Sequence, residues 1–300
     1  MPTIDWSHAD RRHGTGMNIS QRNEQLKRAI RRTVLFTVLV AFTFICATFA
    51  WFSFSTSTNV TPMRGSVNGS GVELLISNAY DGEYAFECEL LPENDQGGDY
   101  GFEPVSTYDL ENFFEAVSMN TDSMADRYAD VTDSLDNKLM KGTVYLKAQN
   151  ADAEVFFDPE QMELSFPDQM MTSMRLGIRL SSSTDDRTYI FRLDGLSTET
   201  GAAEETSTVP QDNVVVYSID SAGNAEYAED PSLDIMEYCA AYEDTKPIPG
   251  TFPLTLLSKD DICTVMYWFY LEGCDVNTFN PVQENEGEID LAFAGTGVRP

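Results

Sequence analysis

With 300 residues and 42% apolar side chains, the chain has enough material for one large domain or two modest ones around a buried core. It carries 49 acidic residues against 19 basic ones, a formal net charge of −30. A surface so short of clustered Lys and Arg cannot displace the counterions of a phosphate backbone, which excludes nucleic acid as a partner.

Much of the basic charge sits at the start. Arg11, Arg12, Arg22, Lys27, Arg28, Arg31 and Arg32 face only Asp5, Asp10 and Glu24 within the first 50 residues. Residues 51–300 keep 12 basic and 46 acidic residues, a net charge of −34. Behind the basic leader (1–32), Thr33–Phe54 reads TVLFTVLVAFTFICATFAWFSF without a charge. At ~1.5 Å per residue this run makes roughly 33 Å of helix, enough to cross a bilayer core of about 30 Å. The positive-inside rule then puts the leader in the cytoplasm and the acidic remainder outside. The segment is either a retained transmembrane anchor or an export signal. Its length and late start favour an anchor. Thr48-Phe49-Ala50 instead offers small residues at −3 and −1 of a cleavage point between Ala50 and Trp51, although Trp51 also suits an interfacial anchor.

Residues 55–70, which include TPMRGSVNGSG, read as a Gly/Ser-rich linker. From residue 71 to the end, apolar residues alternate at period two. Examples are Val72-Leu74-Ile76, Val144-Leu146-Ala148, Ala153-Val155-Phe157, Met162-Leu164-Phe166, Met174-Leu176-Ile178-Leu180 and Ile289-Leu291-Phe293. This pattern marks antiparallel strands packed from one side. DRTYIFRLDG and NVVVYSID are further strands, and CTVMYWFYLEG, apolar on both faces, is a central one. Leu110, Phe113, Phe114 and Val117 fall at i, i+3, i+4 and i+7, with Ser106 and Asp109 resembling a capping box. They predict a helical insertion near 106–138, extended by ADRYADVTDSLDNKL. PDQMMTSM predicts one short helical turn behind Pro167. The expected fold is therefore an all-β antiparallel sandwich, of jelly-roll or immunoglobulin-like kind, with a helical insertion and one preceding transmembrane or signal helix.

The chemistry of the strand-rich part is sparse. The only histidines, His8 and His13, precede the apolar run, so no imidazole is available beyond it for a Ser-His or Cys-His nucleophile or a His-based zinc site. Ser258 and Lys259 are adjacent and point to opposite faces of a strand. A carboxylate-dependent hydrolase stays open only because 46 acids permit many pairs. Cys46 lies in the apolar run. Cys88, Cys239, Cys263 and Cys274 form an even set on the oxidising side, with Cys239–Cys274 the preferred disulfide and free buried thiols the alternative. Glu93, Asn94, Asp95 and Asp99 bunch around two glycines in PENDQGGDYG. They are candidate oxygen ligands for Ca²⁺, though the spacing matches no EF-hand and solvated acidic loops are far commoner. No other cofactor is indicated.

Thr48-Phe49-Ala50-Trp51-Phe52-Ser53 resembles the Thr-Tyr-Ala-Trp-Phe-Thr junction of TasA/camelysin-type Gram-positive surface proteins. Phe269-Tyr270-Leu271-Glu272-Gly273 and Phe293-Ala294-Gly295 resemble that family's closing pair of strands, and MRLGIRLS fits its Arg-rich central strand. The long leader and the acidic loops depart from the pattern. The resemblance implies export with cleavage at Ala50–Trp51, a β-sandwich behind the junction, and surface display or membership of a biofilm-type matrix fibre. The expected function is thus non-enzymatic adhesion or assembly, with other surface proteins or further copies as partners. The mechanism would be strand addition, with Trp51–Val60 the candidate donor and Phe52 and Phe54 its alternating anchors; the same residues read slightly better as a connector with an interfacial aromatic pair. The alternative is an uncleaved single-pass protein presenting a domain that binds cell wall, cation or protein.

Overall fold

A computed structural model of the chain describes residues 59–61, 64–70, 72–93, 102–119, 125–136, 138–162, 164–165, 168–196, 213–275, 278 and 286–298, together with positions 30 and 37. The chain divides into two units at Ser53 and Phe54, and the β-structure belongs to the second. Apart from Thr37, the expected transmembrane or signal segment lies outside the described residues, as does the Ala50–Trp51 junction. Among those described, no helix is long and apolar enough to cross a membrane.

The strands in chain order begin with β1 (Asn59–Thr61), β2 (Arg64–Ser70), β3 (Leu74–Ser77), β4 (Glu87–Glu89), β5 (Phe114–Met119) and β6 (Ala125–Asp130). Next come β7 (Met140–Ala148), β8 (Ala153–Phe157), β9 (Leu164–Ser165), β10 (Met174–Ser181) and β11 (Asp186–Arg192). They continue with β12 (Val214–Ile219), β13 (Ala225–Glu229), β14 (Leu233–Asp234), β15 (Ala241–Glu243) and β16 (Lys246–Ile248). The last are β17 (Thr255–Leu257), β18 (Ile262–Leu271), β19 (Glu286–Ile289) and β20 (Leu291–Gly297). The short helix expected in PDQMMTSM forms over Asp168–Ser173 and runs straight into β10.

Two sheets dominate. One has six strands in the order β14-β11-β10-β18-β7-β3 and the other five, β17-β8-β20-β2-β4. Side chains from both fill a single core: Ile76, Val144, Leu146, Leu176, Ile178 and Phe269 from the first, and Val67, Val155, Phe157, Leu291 and Phe293 from the second. Phe157 stacks on Phe293 within its own sheet, ring centroids 5.9 Å apart, and meets Phe191 of the other sheet edge-on at 5.2 Å. Each such buried side chain contributes about 1.5–3 kcal/mol relative to exposure. In β7 the residues from Met140 to Ala148 alternate without a break between buried and half-buried, as the period-two pattern requires.

The wholly apolar β18 lies inside the six-stranded sheet, between β10 and β7. Its Val265, Tyr267, Phe269 and Leu271 enter the main core, while Trp268 and Tyr270 enter a second cluster with Val105, Leu110, Phe113, Val131, Leu139 and Ile190. Val105, Leu110, Phe113, Val131 and Leu139 thus cover the sheet's outer face. The expected helical insertion is corrected here: residues 114–119 and 125–130 form an antiparallel hairpin. The apolar spacing was real, but Leu110 adopts a positive φ of 60°. The Asp109 carboxylate accepts from the N–H groups of Glu111 and Asn112, and Ser106 and Phe114 pair through their backbones. This Asx-type turn closes a loop where a helix was expected. Leu110 and Phe113 still bury, onto the sheet.

Residues 64–70 also depart from expectation, because the presumed connector is strand β2. It runs parallel to β20 and antiparallel to β4, with Val67 buried. Backbone partners on both sides hold a strand that its Gly/Ser composition alone does not favour. Two further pairings are parallel, β1 with β19 and β11 with β14, and the other strand pairings are antiparallel.

Gly142 of β7 lies opposite Tyr267 in the register with β18, under the buried tyrosine ring. A Cβ there would meet the Tyr267 hydroxyl and come within 2.6 Å of Cζ. Gly142→Ala is therefore expected to lower stability by about 1–3 kcal/mol. The measurement is the urea-unfolding midpoint, and an unchanged midpoint contradicts this packing.

Candidate functional site

Strand β10 reads MRLGIRLS, so its two arginines share the face turned away from the main core. Arg179 keeps partial contact with solvent and pairs with Glu111 at 2.8 Å. Arg175 is buried at 5% exposure. Its Nη1 donates to the carbonyls of Thr172 (2.7 Å) and Met174 (3.1 Å). Its Nη2 lies 3.2 Å from Asp230 Oδ2, just beyond β13, and 3.5 Å from Asp275 Oδ2, just beyond β18. One guanidinium therefore joins the sheet to two separate chain segments.

Glu272, which follows β18, lies in the same place and is 2% exposed. Its Oε1 accepts from the Cys274 N–H at 3.1 Å, and its Oε2 is buried without a hydrogen-bond partner. The backbone around it is fixed: Glu272 N–H donates to the Ser173 carbonyl, Gly273 N–H to that of Val105, and the Thr278 hydroxyl to that of Glu272. Ser106 Oγ accepts from the Val216 N–H at 2.9 Å and from the Cys274 thiol at 3.6 Å, and Tyr128 Oη lies 3.5 Å from Cys274 Sγ. The β5–β6 and β12–β13 hairpins meet here, with Phe114, Tyr128, Val216 and Cys274 as their common apolar cluster.

Burial sets the electrostatics. It works against the charge on Arg175, but Asp230 and Asp275 outweigh it and hold the guanidinium ionised. Burial pushes the Glu272 carboxyl up to about 8, against the opposite pull of the nearby Ser106 hydroxyl and of Arg175. Glu272 is accordingly protonated at neutral pH, and the cluster holds one positive charge among two aspartates and a neutral acid. Its chemical capacity is to keep or release one proton inside the fold and to tie the hairpins to the sheet. Burial pushes the thiols of Cys239, Cys263 and Cys274 up to about 12 and that of Cys88 up to about 11, which makes them poor nucleophiles.

The expected Cys239–Cys274 disulfide is corrected, since Cys88, Cys239, Cys263 and Cys274 are all free. Cys239 packs in the main core and donates to the Ile235 carbonyl, whereas Cys274 belongs to the hairpin cluster. Of the candidate Ca²⁺ ligands, Asn94, Asp95 and Asp99 lie outside the described residues. Glu93 accepts from the Thr143 hydroxyl at 3.1 Å and sits 3.7 Å from Lys141 Nζ. Among the described residues, no group of three or more His, Cys, Asp or Glu could hold a metal ion. Ala50, Trp51, Phe52 and Phe54 are also outside the described residues. Sequence reasoning missed the Arg175–Glu272 cluster. Its available signal was a charge at the edge of each of two strongly apolar strands, MRLGIRLS and YWFYLEG, because a buried charge needs a partner. Comparison with protein-family models, curated proteins and solved structures finds no significant match.

Two outcomes follow from this geometry. Arg175→Ala leaves two half-buried aspartates without their counter-charge and is expected to cost about 2–4 kcal/mol in urea unfolding. Glu272, with its folded value of about 8 above the usual 4.5, retains a proton that the unfolded chain has lost. It therefore makes stability fall as pH rises from about 4.5 to about 8 and then level off. Glu272→Gln should remove that component, so that the variant gains on the wild type across this window. Parallel pH profiles for the two proteins contradict the assignment.

Proposed function

We propose that the chain is an exported, non-enzymatic cell-surface protein that acts in adhesion or extracellular fibre or matrix assembly. In this reading the six- and five-stranded sheets are the layers of a jelly-roll or immunoglobulin-like sandwich, standing outside the membrane with the N-terminus in the cytoplasm. The TasA/camelysin-like junction at Thr48–Ser53 supports export. The carboxyl with the most altered proton affinity, Glu272, is sealed from solvent, which supports a role without catalysis.

One observation carries the assembly mechanism. Strand β1, at the end of the candidate donor segment, is an edge strand paired in parallel with β19, Asn59 opposite Glu286 and Val60 opposite Gly287. A parallel edge pairing needs no hairpin to its neighbour, so the same segment of another copy can make it through the same backbone hydrogen bonds. Residues 51–61, WFSFSTSTNVT, carry no charge, and their docking adds no like-charge repulsion between acidic copies. A retained anchor is the second reading, favoured by the 22-residue charge-free run Thr33–Phe54.

Mass spectrometry of the mature protein is expected to give a chain starting at Trp51 or close by, while an intact N-terminus favours the anchor. Size measurement of the secreted protein should show assemblies that vanish when residues 51–60 are deleted. Identical monomers with and without those residues end the strand-addition reading.

A further inference from the structure

The β5–β6 and β12–β13 hairpins stand outside the two large sheets and pack on each other, with Tyr128 N–H donating to the Gly223 carbonyl and Tyr128 edge-on to Tyr227 at 6.2 Å. The β12–β13 hairpin slips register once and the β5–β6 hairpin twice. In β5 the residue left over between Ala116 and Ser118 is Val117, and in β12 the one between Val216 and Ser218 is Tyr217. A bulge re-aims the side chain of its extra residue. In both hairpins that side chain is a large apolar one sent into solvent, Val117 at 52% and Tyr217 at 56% exposure. Beside Tyr217 stands Tyr108, 41% exposed and edge-on at 5.3 Å, so two aromatic rings share one solvent-facing spot.

The surroundings of this ring pair are negative. Asp109 follows Tyr108, and its carboxylate is held ionised by the N–H groups it caps, against the opposing effect of partial burial. Glu226 lies across from Ser218, the neighbour of Tyr217, and accepts from the Ser218 hydroxyl at 2.8 Å. Residues 213–234 contain Asp220, Glu226, Glu229, Asp230 and Asp234 and no Lys, Arg or His. Residues 51–300 of a second copy, with their net charge of −34, or an anionic lipid or nucleic acid, meet like charge here, whereas a cation meets both attraction and ring faces. The same pairing occurs within the molecule: Lys147 Nζ sits 5.7 Å from the centre of the Tyr84 ring. The planar guanidinium of arginine stacks on aromatic faces better than the compact ammonium of lysine.

We propose that Tyr108 and Tyr217, flanked by Asp109 and Glu226, form a docking site for an arginine-rich segment of a partner protein. The ring pair supplies the stacking surface, the carboxylates supply attraction and orientation, and the bulge in β12 presents Tyr217 outward. The site is independent of how the chain reaches the cell surface and of whether copies assemble.

The test is titration of the purified full chain in detergent with hexa-arginine, hexa-lysine and hexa-glutamate peptides at moderate salt. Hexa-arginine should bind more tightly than hexa-lysine, and hexa-glutamate should not bind. Replacing both Tyr108 and Tyr217 by Ala should weaken hexa-arginine binding about tenfold. Replacing both by Phe should leave it within about twofold, since the ring remains. Tyr80→Ala, an exposed aromatic elsewhere, should change nothing. Three results overturn the proposal: equal affinity for the wild type and the double Ala variant, which reduces binding to net charge; equal affinity of double Phe and double Leu variants, which removes the ring's role; or a neutral oligosaccharide that binds in a Tyr217-dependent way while hexa-arginine does not. Circular dichroism and the urea midpoint of each variant separate a lost site from a lost fold.

Discussion

A strand buried on both faces needs a cover on both faces, and β18 imposes that constraint on the whole domain. Its odd-numbered residues from Cys263 to Leu271 complete the core shared by the two large sheets, and Trp268 and Tyr270 demand a second layer outside. The chain supplies it with Val105, Leu110, Phe113, Val131 and Leu139, which pack onto the sheet. Where β18 ends, the apolar cover gives way to the ion cluster, because backbone turns and two hairpins converge there. Arg175 joins sheet to hairpins at that point, and Glu272 meets the cost of its own burial by keeping its proton.

This arrangement separates a rigid inside from an available outside. The hairpins rest on the ion cluster through the half-buried Asp230, through the Val216–Ser106 hydrogen bond and through the buried Cys274. The acidic exterior keeps identical molecules apart. In the proposed reading, contacts between copies fall to uncharged backbone, as at β1, and contacts with other molecules to partners of opposite charge, as at Tyr108 and Tyr217.

The regular strands were legible in the sequence. The alternation in β7 matches its observed burial residue by residue, and the two-faced apolarity of CTVMYWFYLEG identified a strand interior to its sheet. Two regions were not legible, for different reasons. At 106–114 the spacing of Leu110, Phe113 and Phe114 satisfied a helical period, but the deciding interactions were local polar ones, the Asp109 turn and the Leu110 backbone, which hydrophobic periodicity does not register. At 64–70 a Gly/Ser-rich run became a strand because β20 and β4 flank it, and those partners come from distant parts of the chain. The ion cluster was hidden for the same reason. Arg175, Asp230, Glu272 and Asp275 are spread over a hundred positions, and 46 acids in residues 51–300 gave no ground for choosing three of them.

The account turns on a sealed carboxyl at the end of β18. The most direct measurement is a ¹³C NMR titration of the Glu272 side chain in the folded protein. A midpoint near 8, with no change near 4.5, is the expected result. A midpoint near 4.5 means that water reaches the carboxyl and that the outer layer does not close over the strand, which contradicts the architecture described here.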